Sequence, residues 1–269
     1  MNHNLKDGLV LITGAASGIG LDLAKTLESQ GRELLLIDLN AKALQEHFTE
    51  SDSIHFAAGD VSMVEFWEET INRKVEHKSI SYLFNCAGVI RPGFVRDFSL
   101  EDIDFHLDVN TKGSILGLRY VANIMKDQGI GHIINISSLA GLAPVSGLSL
   151  YSASKFAIRG FSLAAAAEYK QFGVSISVVC PDLVKTPMLD LQLDYPEEAK
   201  LTFSGPEKVL TPGDITKVLL KLMERPKDLV CIPESRGLLA KLAGIWPSLG
   251  EMFRKSLESK GEKTLQKLR

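Results

Sequence analysis

The sequence predicts an α/β fold: a single doubly wound parallel sheet of about seven strands, followed by a C-terminal amphipathic helical extension. Three observations predict it. Short runs that are apolar at every position recur along the chain, as strands buried on both faces require. Segments with apolar residues at helical spacing separate them. No linker-like stretch divides the first run from the last. The 269 residues are 45% hydrophobic and 23% charged. That composition supplies a sizeable core and excludes disorder over most of the length.

Taken in order, residues 9–13 form a bare apolar run that leads into glycines, a buried strand. Residues 19–30 have helical spacing, with Gly31 as the stop. Residues 34–37 are a second strand and 41–48 a helix. Residues 54–58 are a third strand, 64–75 a helix and 81–84 a fourth strand. A long helical stretch over 100–125 is interrupted near Gly113. Strand five spans 132–136, a long Ala-rich helix 151–172, and strand six 174–179. A helix over 215–223 precedes a seventh strand at 229–232. Residues 1–235 read as one α/β sheet domain. Residues 236–269 read as a basic amphipathic extension, with Leu238, Leu239, Leu242, Ile245, Trp246, Leu249, Met252 and Phe253 at helical spacing and a break at Pro247.

The charge balance excludes some partners. Lys plus Arg is 30 and Asp plus Glu 33, a net charge of -3. That argues against a nucleic-acid binder with a broad basic face. The extension alone carries +5, leaving −8 for the rest. Three widely spaced Cys exclude a full disulfide framework and fit a reducing compartment. No secretory leader, membrane span or metal site is expected, so the expected location is cytoplasmic. The extension admits three roles: a lid over an apolar pocket, an interfacial helix drawn to anionic lipid, or simple docking on the domain or a partner subunit.

Gly14, Ser17, Gly18, Ile19 and Gly20 lie between strand one and helix one. Glycines there permit a tight turn and close approach to a pyrophosphate, which the helix N-terminus then favours. Asp38, at the end of strand two, suits an adenosine ribose and would repel a 2′-phosphate. No Lys or Arg occupies Ala15, Ala16, Ser17 or Leu39, which favours NAD over NADP. Asp60 and Val61 follow strand three and suit an adenine edge. Asn85, Ala87 and Gly88 follow strand four, where small residues permit contact with the cofactor.

Tyr151 and Lys155 are four apart and share a helix face. Ser138 follows strand five, and Asn110 lies in the long fourth helical stretch. Such a set suits proton transfer coupled to hydride transfer. A Tyr phenol ordinarily titrates near 10. A nearby ammonium and an oxidised nicotinamide would lower that value. Ser138 would hold the substrate oxygen, and Asn110 would anchor a water chain. Singly, each residue has a structural explanation: a surface Tyr–Lys contact, a turn, a satisfied amide. Jointly, beside a dinucleotide turn, they favour catalysis.

Over roughly residues 6–233 the chain resembles the short-chain dehydrogenase/reductase family. The motifs are Thr13-Gly14-x-x-x-Gly18-x-Gly20, Asn85-x-Ala87-Gly88, Asn110, Ser138 and Tyr151-x-x-x-Lys155. The resemblance implies a seven-stranded Rossmann sheet and NAD(P)-linked chemistry on alcohols or carbonyls. It implies Tyr151 as acid/base, Ser138 as orienter, Lys155 as ribose ligand and pKa modulator, and Asn110 as water anchor. Tyr151, Lys155 and the loop from Pro181 to Thr186 would also touch the cofactor, with Thr186 at the nicotinamide carboxamide. It implies a homodimer or homotetramer through the long helices. The family usually has Pro-Gly where this chain has Pro181-Asp182, a departure that would crowd or recharge the nicotinamide end.

The loops after strands four, five and six supply Val89, Ile90, Phe94, Leu139, Leu142, Val145, Leu148, Leu183, Met188, Leu189 and Leu191. This apolar set predicts a hydrophobic secondary alcohol or ketone, such as a steroid, retinoid or long-chain acyl compound. Two alternatives stand beside it. One is a nucleotide-sugar epimerase or dehydratase, disfavoured by the glycine spacing and the lack of a large C-terminal substrate domain. The other is a catalytically silent NAD-sensing scaffold, whose usual mark, a missing catalytic residue, is not seen.

Overall fold

Seven runs of apolar residues form strands because helices cover both of their faces. In the computed structural model, which describes residues 5, 7–75, 78–205 and 209–268, the strands are β1 (Leu9–Thr13), β2 (Leu34–Asp38), β3 (Ile54–Ala58), β4 (Ile80–Asn85), β5 (Gly131–Ile136), β6 (Val174–Pro181) and β7 (Leu229–Ile232). All pair in parallel, in the order β3-β2-β1-β4-β5-β6-β7. The order reverses between β1 and β4, so a crevice opens there beyond their carboxyl ends.

The helices are α1 (Gly18–Ser29), α2 (Ala41–His47), α3 (Val64–Thr70), α4 (Leu100–Leu107), α5 (Ser114–Gln128), α6 (Ser149–Tyr169), α7 (Pro187–Leu193), α8 (Pro196–Ala199), α9 (Pro212–Glu224), α10 (Glu234–Ile245) and α11 (Pro247–Leu268). Alternate strand residues serve opposite layers. Val10, Ile12, Leu34 and Leu36 pack with Leu23 and Leu27 of α1 and Leu219 of α9. Leu9, Leu11, Leu35 and Ile37 pack with Trp67 of α3 and Leu118 and Val121 of α5. Each such Leu or Ile, fully buried, contributes about 1.5–3 kcal/mol.

Two helical stretches are more broken than their periodicity suggests. Residues 100–125 form α4 and α5, joined by a wider π-helical turn, Asp108–Gly113. A Cβ on Gly113 would stand 2.7 Å from Val61 Cγ2, so close packing holds a glycine there. Residues 64–75 end in a similar turn, Ile71–Val75. The short helices α7 and α8 carry no signal long enough to read as helices.

The extension is helical, broken at Pro247, and packed on the sheet domain. A Cβ on Gly244 would lie 2.2 Å from Leu142 O, and one on Gly261 would lie 1.7 Å from Lys200 O. Leu265 is buried among Leu189, Ala199 and Phe203. Leu238, Leu239, Ile245, Trp246, Met252 and Phe253 stay more than half exposed. The side chain of Leu249 lies outside the described residues. Among the described residues, no helix is long and apolar enough to cross a membrane.

Candidate active site

The cofactor cradle is built around β1 and β4. Gly14 and Gly18 have φ of 67° and 53°, the left-handed region that glycine adopts without strain. A Cβ on Gly14 would meet Ala87 N at 2.8 Å, and one on Gly20 would meet Gly14 O at 2.2 Å. The Thr13 hydroxyl accepts from both Cys86 N and Ala87 N at 3.1 Å, locking the turn to the loop after β4. Ser17 lies just before the first turn of α1, whose backbone N–H groups face this crevice. A Cβ on Gly88 would stand 3.2 Å from Asn110 Oδ1 and 3.4 Å from Lys155 Nζ. These residues fit a dinucleotide: the backbone is bare where phosphates approach.

Asp38 stands beside this turn, Oδ2 accepting from Ala16 N and Oδ1 from Asn40 N, each at 3.0 Å. Asp60 Oδ1 accepts from Ser62 N at 2.8 Å, and Val61 O accepts from Trp67 Nε1 at 2.8 Å. The Asn85 side chain is turned inward. Its Nδ2 donates to Asn135 Oδ1 at 2.8 Å and to Ser114 O at 3.2 Å. It ties β4 to β5 and α5 rather than reaching into the crevice. Pro181 and Thr186 line the cavity described below, and Thr186 Cγ2 would be 3.0 Å from a Cβ on Gly18.

Ser138, Tyr151 and Lys155 come together. Ser138 leaves β5 in extended backbone, its Oγ accepting from Ala140 N at 3.1 Å. Tyr151 and Lys155 project from α6, with Lys155 Nζ 5.6 Å from the Tyr151 ring centroid and donating to Ile136 O at 3.0 Å. Burial pushes the phenol up to about 12, although the Ser138 hydroxyl hydrogen-bonded to it pulls the other way. In the chain alone burial outweighs every other influence on this phenol; the expected lowering belongs to the complex with an oxidised nicotinamide. Burial also pushes Lys155 down to about 8. Cys86, facing Lys155, is pushed up to about 12 by burial.

Asn110 lies in the π-helical turn and is fully buried. Its Nδ2 donates to Val89 O at 2.9 Å and Ser154 Oγ at 3.0 Å, and its Oδ1 accepts from Val89 N at 2.7 Å. Both amide protons are committed to protein partners. The side chain therefore pins the loop after β4 to α6.

A cavity of about 1300 Å³ opens above this cluster. Val89, Ile90, Leu139, Val145, Leu148, Leu183, Met188, Leu189 and Leu191 line it as expected. Phe94 and Leu142 are not among its lining residues: Phe94 lies under Arg96 at 4.8 Å, and Leu142 is buried against Leu139 and Cys180. Sequence reasoning missed Phe105, Phe156 and Leu257; Leu239, Leu242 and Phe253 of the extension also line the cavity. Amphipathic spacing was the signal for these three. Asp182 is not a free charge at the nicotinamide end. Its Oδ2 accepts from Arg236 Nε of α10 at 2.9 Å, so the extension neutralises the residue that departs from the usual glycine.

The comparisons with known proteins agree with this geometry. Residues 8–194 match the family model described as short chain dehydrogenase. A 3-alpha-(or 20-beta)-hydroxysteroid dehydrogenase of Mycobacterium tuberculosis is 32% identical over 82% of this chain and 84% of its own length. A cyclopentanol dehydrogenase of Comamonas testosteroni is 30% identical over 81% of this chain and 90% of its own. The crystal structure of levodione reductase superposes with a TM-score of 0.79 at 25% identity, covering 87% of this chain and 99% of that one. Sheet, motifs and relatives lead to one conclusion: the chain belongs to the short-chain dehydrogenase family and is an NAD(P)-dependent oxidoreductase acting on CH–OH or C=O groups.

Proposed function

We propose that this chain interconverts hydrophobic secondary alcohols and their ketones, with NAD(H) as cofactor and Tyr151 as the acid/base group. The observation that carries the reading is the Ser138–Tyr151 hydroxyl pair in the wall of a mostly apolar cavity, with the Lys155 ammonium beside it. The names of the hydroxysteroid and cyclopentanol relatives support the same substrate class.

Bound NAD(H) supplies or accepts the hydride. The chain does the rest. Ser138 Oγ holds the substrate oxygen. Tyr151 Oη gives that oxygen a proton during reduction and takes one during oxidation. Lys155 sets a positive charge beside the phenol, favouring its ionised form. The apolar wall excludes water and strengthens these interactions. Asp38 supports NAD over NADP, because its carboxylate faces the turn and neither Ala15, Ala16, Ser17 nor Leu39 offers a cation for a 2′-phosphate.

The test is nicotinamide absorbance with NAD or NADP and a panel of apolar secondary alcohols. Tyr151→Phe should lower kcat/KM by at least about 100-fold while leaving NAD affinity within about twofold. Tight NAD binding without turnover across the panel would favour the cofactor-sensing alternative. Tighter binding of NADP than NAD would overturn the role given to Asp38.

A further inference from the structure

The first helix of the extension is built inside out. A surface helix ordinarily turns its large apolar side chains toward the core. In α10 the residues that meet the sheet domain are small. A Cβ on Gly237 would overlap Cys231 Cβ, one on Gly244 would overlap Leu142 O, and Ala240 packs on the cluster of Leu139, Leu142 and Cys180. Gly237, Ala240 and Gly244 recur at helical spacing, so the opposite side carries Leu238, Leu242 and Ile245, with Lys241 beside them. These apolar side chains are exposed, as is Trp246 at the corner before α11.

In α11 the charges are sorted between two sides. Its acidic residues serve Arg254 and the domain. Glu251 and Glu258 pair with Arg254, and Glu258 and Glu262 interact electrostatically with Lys200. Gly261 and Leu265 make the close contacts with residues 199–204. On the outer side Met252 and Phe253 are followed at helical spacing by Ser256, Ser259, Lys260 and Lys263, with Lys255 flanking, and all of them are exposed. An apolar tip thus runs on into a row of lysines. The extension as a whole carries +5 against −8 for the remainder. The cavity opens on the same face. Leu239, Leu242 and Phe253 line it and are also exposed, so its apolar wall continues onto the surface.

Contiguous exposed apolar surface marks an interaction site. The chemistry of this one suits a lipid interface. Leu, Ile, Met, Phe and Trp side chains enter the boundary between headgroups and acyl chains, while lysines reach anionic headgroups. A second copy of the chain would instead set two positively charged faces against each other. We propose that the outer face of α10 and α11 binds the surface of an anionic phospholipid bilayer, lying on it without crossing it, with the mouth of the cavity turned toward the lipid. The docking stands on this surface alone. Entry of an apolar substrate directly from the bilayer follows from it and rests on the alcohol–ketone reading of the cavity.

The experiment mixes the full chain with vesicles, without cofactor or substrate. The vesicles are phosphatidylcholine alone, or phosphatidylcholine with about a third phosphatidylserine, each with and without brominated acyl chains. Co-sedimentation should show at least about tenfold tighter binding to the anionic vesicles, weakening as salt rises. The two tryptophans report the contact. Trp67 is fully buried and Trp246 exposed, so brominated lipid should quench a part of the emission that Trp246→Phe removes. Lys255→Gln, Lys260→Gln and Lys263→Gln, combined, should weaken binding at least about tenfold, and so should Ile245→Ser with Met252→Ser. None of these five residues lines the cavity, so turnover of a water-soluble alcohol without vesicles should stay within about twofold. No preference for anionic vesicles, or binding that leaves Trp246 unquenched, overturns the proposal. Self-association of the chain that Ile245→Ser with Met252→Ser abolishes assigns the face to a second copy and overturns it as well. Vesicle binding by a chain that turns over no alcohol supports the docking and counts against the alcohol–ketone reading alone.

Discussion

Burial, more than any neighbouring charge, governs the two proton-handling side chains. Tyr151 is held protonated at neutral pH, with its phenol at about 12, and Lys155 loses its proton above about 8. For Lys155 the consequence for stability has a definite sign. Below pH 8 it is charged in both the folded and the unfolded chain, so the cost of burying the charge is fully present. Between about 8 and the ordinary value of 10.5 the folded chain sheds this proton first, and stability rises with pH. Lys155→Met should therefore raise the thermal midpoint at pH 7, and the gain should shrink between pH 8 and 10.5. Scanning calorimetry at three pH values checks this; a gain that does not change with pH contradicts it. Asn110 offers a different residue-scale outcome. Removing its amide by Asn110→Leu orphans Val89 N and Val89 O and takes one donor from the Ser154 hydroxyl, which keeps its bond to Tyr151 O. The expected loss is roughly 2–4 kcal/mol in urea unfolding. Sequence position brought out Asn110 as important, but its partners are 21 and 44 residues away, and no local pattern reveals a bond of that kind.

Among the elements, α11 depends on one close contact. The backbone of Gly261 lies so near Lys200 O that even a methyl group would collide with it. Gly261→Ala should lift α11 from residues 199–204 and uncover Leu265 and Phe203. We expect faster proteolysis within α11 and a several-fold higher KM for bulky apolar alcohols, with NAD affinity unchanged. Limited proteolysis and steady-state kinetics measure both. The strands were legible in the sequence because burial on both faces leaves an uninterrupted apolar run. Their limits differ from the structure by two residues at most, as with β6, which continues to Pro181. The helices α7 and α8 were not legible. They are short, each opens on a proline, and their apolar side chains serve the cavity wall or a small satellite cluster rather than the main core. Docking was among the roles open to the extension, but its contacts were hidden: Gly261 and Leu265 look like ordinary members of a helix until the 199–204 backbone is brought against them.

Across the whole molecule, the Asp182–Arg236 pair joins the cofactor half to the cavity wall, with the carboxylate side chain 12% and the guanidinium 31% exposed. Charges this well buried depend on each other, since removing one leaves the other poorly solvated. Arg236→Met should raise KM for both NAD and the apolar substrate and lower the thermal midpoint by a few degrees. Asp182→Gly should relieve most of that stability loss when combined with it, giving a strongly non-additive double-mutant cycle. Additive effects would mean that the pair does not couple the two halves. The position of α10 and α11 also bears on how the chain is made. Every residue of the phosphate turn and of the Ser138–Tyr151–Lys155 cluster precedes residue 156, whereas much of the cavity wall is drawn from residues 181–257. During synthesis the dinucleotide crevice is encoded first, and the apolar lining stays uncovered until the final helices emerge from the ribosome. Those helices then shield a surface that would otherwise attract other nascent chains.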